Sequence, residues 1–261
     1  MIVAFDVGNT ETSIGLFAGP ELKAHWRIMT DVARTPDEFG LLLNALLSSQ
    51  SVTRGAVTGA VVGSVVPPVT VPLAQACVHW LGVEPIIVDA GSRLPIVLDV
   101  DEPLTVGADR IINTLAASRM YKCDTIVVDL GTATTYDCIT ADGIFLGGII
   151  APGVRTSADT LVRRTSKLPA TELLPPARAI GKRTEECIRS GVMFGAADEV
   201  DGLVRRIKRE WPTDAVPRVI ATGGLAESIA PLCAEVDLVE PFLTLYGLRM
   251  AHDLLSGACR G

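Results

Sequence analysis

The stretch IVAFDVGNT (residues 2–10) returns in form as TIVVDLGTATT (residues 125–135). Each is an apolar run followed by Asp, one residue, Gly and a cluster of small hydroxyl or amide side chains. An apolar, β-branched run that meets a glycine turn reads as a buried strand. One copy would be only a turn signal, because Asp and Gly favour turns for local reasons. Two copies at matching places ask for a shared purpose. Gly8 and Gly131 let a ligand come close to backbone N–H groups, and Asn9, Thr10, Thr132, Thr134 and Thr135 add donors without bulk. That surface suits phosphate. A carboxylate repels bare phosphate, so Asp6 and Asp129 make sense beside it chiefly as holders of cations.

Working outward, the first stretch is followed by a hairpin, Ser13–Phe17 and Lys23–Ile28, with its turn at AGPE (residues 18–21). TPDEFGLLLNALLSS (residues 35–49) is a helix with apolar spacing at Phe39, Leu42, Leu43, Leu46 and Leu47, started by Thr35, Pro36 and Asp37. GAVTGAVVGSVVPP is a glycine-rich buried strand, followed by a helix near Val69–Leu81 and a strand at PIIVDAG. The second stretch repeats the plan, with a hairpin turn at Ala141-Asp142-Gly143 and a later strand into glycines at RVIATGGLAES. The expected organisation is two similar α/β halves, residues 1–118 and 119–261, beside a shared cleft.

Composition narrows the classes. Of 261 residues, 48% are hydrophobic and 20% charged, and the apolar runs are short, which is the pattern of a globular α/β protein. A net charge of −7 with no basic, aromatic-interleaved stripe argues against a nucleic-acid partner. The basic group Arg205, Arg206, Lys208 and Arg209 reads as the solvated last turn of a helix. Six cysteines at 77, 123, 138, 187, 233 and 259 are widely spaced without C-x-x-C, and read as reduced thiols rather than a zinc site. His25, His79 and His252 share no spacing for catalysis or metal ligation. The longest apolar stretch, AVVGSVVPPVTVPLA, carries three prolines and cannot span a membrane. With Asp6 breaking the N-terminal apolar run, the expectation is a cytoplasmic protein.

The motifs Asp6-Val7-Gly8-Asn9-Thr10, Val106-Gly107-Ala108-Asp109-Arg110, Asp129-Leu130-Gly131-Thr132-Ala133-Thr134-Thr135, Gly147-Gly148-Ile149-Ile150-Ala151-Pro152-Gly153 and Ala221-Thr222-Gly223-Gly224 resemble, in order and spacing, those of type III pantothenate kinases. These enzymes belong to the acetate and sugar kinase, Hsp70 and actin superfamily. The resemblance runs from residue 2 to about 250. It implies two actin-like, ribonuclease H-like α/β halves with mixed sheets flanking a nucleotide cleft. It also implies ATP-dependent phosphorylation of pantothenate to 4'-phosphopantothenate, the first step of coenzyme A synthesis. By position, Asp6, Val7, Gly8, Asn9, Thr10, Glu11, Thr12 and Ser13 would cradle ATP, with Asp6 helping to hold Mg²⁺ and Thr132 also touching ATP. Asp129 would hold a monovalent cation, K⁺ or NH₄⁺. Gly107, Ala108, Asp109 and Arg110 would contact pantothenate, with Asp109 as general base, and Thr184 would join a pantothenate site at a homodimer interface. Val100 stands where many relatives carry Tyr.

The residues themselves support part of this. EPLTVGADRIINTLAASRMY (residues 102–121) has helical spacing at Leu104, Ala108, Ile111, Ile112, Leu115 and Ala116, with Pro103 in its first turn. Asp109 shares a helix side with apolar residues, where a carboxylate needs a reason: an ion pair or catalysis. Thr184 also reads as a helix N-cap followed by Glu185 and Glu186, and Gly191 and Gly195 would allow close packing of that helix. ATGG suits the approach of an adenine ring. Two other readings stand beside the kinase: another small-molecule kinase of the same fold, and a non-catalytic nucleotide-binding regulatory protein. Retention of Asp6, Asp109 and Asp129 together weighs against the second.

Overall fold

The computed structural model describes residues 1–257. The chain divides into two compact units, residues 1–119 joined by those from Leu243 onward, and residues 120–242. In the first, β1 (Ile2–Val7), β2 (Glu11–Ala18) and β3 (Glu21–Met29) form an antiparallel meander. Strands β4 (Gly59–Ser64) and β5 (Pro85–Val88) extend the sheet in parallel, giving the order β3-β2-β1-β4-β5. Helix α1 (Pro36–Ser49) begins with a reciprocal cap: the Glu38 N–H donates to the Thr35 hydroxyl, and the Thr35 N–H donates to the Glu38 carboxylate. Helix α2 (Pro67–Ala76) runs into one π turn, Cys77–Leu81. Phe39, Leu43, Leu47 and Leu73 from these helices meet Val3, Phe5, Val7 and Ile14 of the sheet in one core. After the two-residue strand β6 (Val97–Leu98) comes α3 (Ala108–Tyr121).

The second unit repeats this topology. Strands β7 (Thr125–Leu130), β8 (Ala133–Ile139) and β9 (Ile144–Pro152) are antiparallel, and β10 (Arg218–Thr222) and β11 (Leu238–Val239) add in parallel, so five strands of this six-stranded sheet, β9-β8-β7-β10-β11, follow the first order. Helices α4 (Val154–Arg163), α5 (Thr184–Glu210) and α6 (Ala226–Ile229) accompany it. The core of this unit is built from Ile126, Val128, Tyr136, Met193, Val200, Val204 and Val219. No described helix is long and apolar enough to cross a membrane. The five described cysteines are free, and Cys259 lies outside the described residues.

Four local expectations change. The helix expected from Pro103 begins at Ala108: Pro103–Thr105 is a short 3₁₀ turn, Val106 is extended, and Ile111 N–H donates to Gly107 C=O as the first α bond. Leu104 is therefore 80% exposed and off the buried side of Ile111, Ile112 and Leu115. Thr184 is the first helical residue of α5 rather than its cap, which falls at Arg183 without a side-chain bond. Glu186 reaches back instead, accepting from Lys182 N–H at 2.8 Å and from Arg178 at 3.1 Å. The basic group near Trp211 is not wholly solvated, since Arg205 and Lys208 pair with Glu235 at 3.5 and 2.8 Å.

The fourth change concerns the expected halves. Residues from Leu243 were expected in the second half, yet α7 (Leu243–Leu255) belongs to the first unit. Its buried Leu245, Leu248 and Ala251 need an apolar face to cover. A buried polar bond fixes the helix there, with the Thr244 hydroxyl donating to Asn113 Oδ1 of α3 at 2.9 Å. Thr244→Val, close to isosteric, leaves that buried oxygen without its donor, and is expected to cost about 1–3 kcal/mol of unfolding free energy with an unchanged denaturant slope. Chemical denaturation checks this; no change would mean that the bond does not secure α7.

Candidate functional site

The β1–β2 turn is closed by Gly8 N–H donating to Glu11 C=O at 3.1 Å. The alternation of β2 separates the predicted ATP contacts by side. Val7 and Thr12 are buried, while Asn9, Thr10 and Glu11 are exposed and Asp6, Gly8 and Ser13 are half-buried. Thr12 shares a 2.8 Å hydroxyl bond with Thr30, and the Thr30 hydroxyl donates to Gly8 C=O at 2.7 Å. Thr30 thus braces the turn from β3's end, a role the sequence reading missed because nothing local marks a threonine 22 residues away from Gly8.

The end of β4 links this turn to the start of α3. Asp6 stands opposite Ser13 on one side and Gly63 on the other, and Val65 N–H donates to Val7 C=O at 3.1 Å. Val65 in turn borders Gly107, where its Cγ1 would lie 3.4 Å from a Cβ built on the glycine. Gly107, Ala108, Asp109 and Arg110 therefore form the N-terminal turn of α3 within the same unit as the Asp6 turn. Asp109 Oδ1 accepts the Arg110 N–H at 2.9 Å. Burial raises the Asp109 pKa above the ordinary carboxylate value, and the Arg110 N–H and guanidinium only partly offset it.

In the second unit, Asp129 occupies the place in β7 that Asp6 occupies in β1, opposite Thr135 and Thr222. Gly223, directly after β10, has φ +90, and a Cβ built on it would stand 2.4 Å from Asp129 Oδ1 and 2.8 Å from Leu130 N. The bare face of Gly223 is thus occupied by the aspartate, which gives the ATGG glycine a use other than the expected approach of an adenine ring. The Thr132 carbonyl accepts the Thr156 hydroxyl at 2.7 Å, tying the turn to α4. Gly223 and Thr156 were not singled out for these contacts, which depend on β10 and α4 folding back over 90 and 20 residues or more of intervening chain.

Thr184 stands at the start of α5. It lines a cavity of about 520 Å³ between α4 and α5, together with Leu130 and Thr134 from the β7–β8 turn region, Val154, Gly191 and Glu199. The wall is mostly apolar, and Glu199 is its acidic group; burial raises its pKa, and a 3.5 Å bond donated by the Tyr136 hydroxyl partly offsets the rise. Gly191 and Gly195 are exposed on α5, with open space where their side chains would be.

Among the described residues no three His, Cys, Asp or Glu side chains cluster as a ready-made metal cage. Asp6 and Asp129, each next to a glycine turn at the end of its strand, match a different donor set. Mg²⁺ commonly takes one or two carboxylates, several waters and substrate phosphate oxygens.

The raised Asp109 pKa has a stability consequence with a definite sign. Burial penalises the ionised form in the folded state only, so the penalty is absent in acid, where both states are protonated, and develops as pH rises through the folded pKa. Asp109→Asn keeps an acceptor for the Arg110 N–H and removes the charge. Its unfolding midpoint is expected to equal or exceed that of the unsubstituted protein at pH 8, with the gap closing toward pH 4. A lower midpoint at pH 8 would show that the ionised carboxylate is stabilised there.

The chain matches the family model for type III pantothenate kinase over residues 2–206. It is 43% identical over 253 residues to a type III pantothenate kinase of Moorella thermoacetica, covering 97% of this chain and 99% of that relative. A type III pantothenate kinase of Thermomicrobium roseum is 45% identical over 253 residues, with 97% of each chain covered. In fold it is similar to the ROK hexokinase from Thermus thermophilus, with a TM-score of 0.51 at 12% identity over 98% of this chain and 99% of that one. With two α/β units that share one order of five strands, an aspartate at the same place in each, and this breadth of similarity, the chain belongs to the type III pantothenate kinases, which phosphorylate pantothenate in coenzyme A synthesis.

Proposed function

We propose that Asp109 is the general base of this kinase, that Asp6 helps to hold Mg²⁺, and that Asp129 holds a monovalent cation, K⁺ or NH₄⁺. The observation that carries the reading is Asp109 itself: a desolvated carboxylate at the N-terminal turn of α3, anchored through one oxygen to the Arg110 N–H. Burial at that place costs stability, and a catalytic role accounts for the cost. The primary hydroxyl of pantothenate gives its proton to Asp109 as its oxygen bonds to the γ-phosphorus of ATP and the bond to the departing ADP oxygen breaks. A loose phosphoryl-transfer transition state needs only that the hydroxyl be oriented and its proton taken late. Arg110 suits the pantothenate carboxylate or a phosphate, because its planar fork pairs with both. Bound cations would supply charge neutralisation at the phosphates, a task for which carboxylate oxygens at Asp6 and Asp129 are the right donors.

The ATP contacts divide according to exposure. Asn9, Thr10 and Glu11 present exposed side chains, and Asp6, Val7, Gly8, Thr12, Ser13 and Thr132 complete the contact set. Thr184 contributes to pantothenate binding near a homodimer interface, for which the exposed Gly191 and Gly195 on α5 leave room for a partner helix. The protein works in the cytoplasm on this reading.

A coupled assay of ADP release from ATP and Mg²⁺ tests the assignment, run with and without pantothenate, in K⁺ and in Na⁺. Pantothenate-dependent release that rises with K⁺ is expected; release indifferent to the cation would overturn the role given to Asp129. Asp109→Asn is expected to lose at least about 10²-fold in turnover while folding normally, the size typical of a positioned base. Because only the ionised base works and its pKa is raised, turnover should fall in acid with a midpoint above 3.8. Near-normal turnover in Asp109→Asn would remove Asp109 from the chemistry.

A further inference from the structure

We propose that Gly107 is a positioning residue for Asp109: the space left by its missing side chain is the seat of Oδ1, and seating that oxygen turns Oδ2 toward the substrate hydroxyl. The inference rests on the reading of Asp109 as base. A Cβ built on Gly107 would stand 2.4 Å from Asp109 Oδ1, closer than real Cβ atoms come to any neighbour. The next atoms, Val65 Cγ1 at 3.4 Å and Asp109 Cγ at 3.6 Å, lie at ordinary contact distance. The conflict is therefore with one carboxylate oxygen and little else.

Gly107 is not among the residues of positive φ, so no backbone conformation reserved for glycine is needed at this position. What requires glycine is the carboxylate. The same Oδ1 accepts the Arg110 N–H at 2.9 Å, so it is confined by the bare Cα of Gly107 on one side and by the first turn of α3 on the other. With Oδ1 confined, the side-chain torsions of Asp109 are set, and Oδ2 is the oxygen left to take the proton. A base that must accept a proton within hydrogen-bond reach gains from such a fixed geometry, since a displacement near 1 Å can cost about 10²-fold in rate.

The test separates positioning from substrate contact and from folding. Gly107→Ala is expected to lower kcat at least about tenfold with little change in KM for ATP or pantothenate. A raised KM at unchanged kcat would mark Gly107 as a binding contact only and overturn the proposal. The partner variants are Asp109→Ala, which removes Oδ1, and the double variant Gly107→Ala with Asp109→Ala. If Gly107 acts through the carboxylate, the added methyl lowers the unfolding midpoint when Asp109 is present and leaves it unchanged when Asp109 is Ala. An equal loss in both backgrounds, or failure of both Gly107 variants to fold, would place the conflict elsewhere and overturn it. Should Asp109→Asn keep its turnover, the base reading fails by itself, while the midpoints still report whether Gly107 seats the carboxylate.

Discussion

Each unit is organised by a central strand that is hydrogen-bonded on both edges, antiparallel on one side and parallel on the other. β1 lies between β2 and β4, and β7 lies between β8 and β10. A slip of one residue in such a strand would exchange the side chains of its two faces and break the ladders on both edges. The register then determines where the strand's aspartate comes to rest: Asp6 against Ser13 and Gly63, Asp129 against Thr135 and Thr222. The turns, their bracing hydroxyls and the helices that follow are built around those two fixed carboxylates.

Asp109 is held differently. It belongs to a helix end, not a strand, and reaches its place because α3 starts only after the extended Val106 and Gly107. A helix running continuously from Pro103 would put Leu104 on the apolar side and change how the chain enters at Gly107. The break spends a turn of regular helix and leaves Leu104 in solvent, and in return the first turn of α3 offers its Arg110 N–H to the Asp109 carboxylate. Burial favours the neutral acid and that N–H favours the anion, with burial the larger effect, while the same N–H orients the carboxylate.

Much of the architecture was legible because its signals are short in range. The alternation in residues 11–29, the Thr35 to Glu38 cap and the glycine at each hairpin turn are set by the local backbone and the next few residues. The repeat of one strand order in two units was legible from two similar strand-turn motifs. Helix starts were less so: Thr184 has the chemistry of a cap, but Glu186 supplies the backbone bond because the preceding segment folds Lys182 within its reach. The destination of α7 was illegible for a related reason, since its apolar stripe says that it must be covered and not by which unit.

By itself the sequence determined the strand-turn motifs, their duplication, the acidic positions 6, 109 and 129 and the resemblance to a kinase family. Those features are carried by residue type and by spacing within about twenty residues. Tertiary structure alone decided which distant residues stand beside the turns: Gly223 under Asp129 and Thr30 behind the Gly8 turn. The reason is distance along the chain and direction in space. Contacts such as Gly223 with Asp129 join residues about ninety apart through strand pairing, whereas Gly107 meets Asp109 locally, where the helix begins between them.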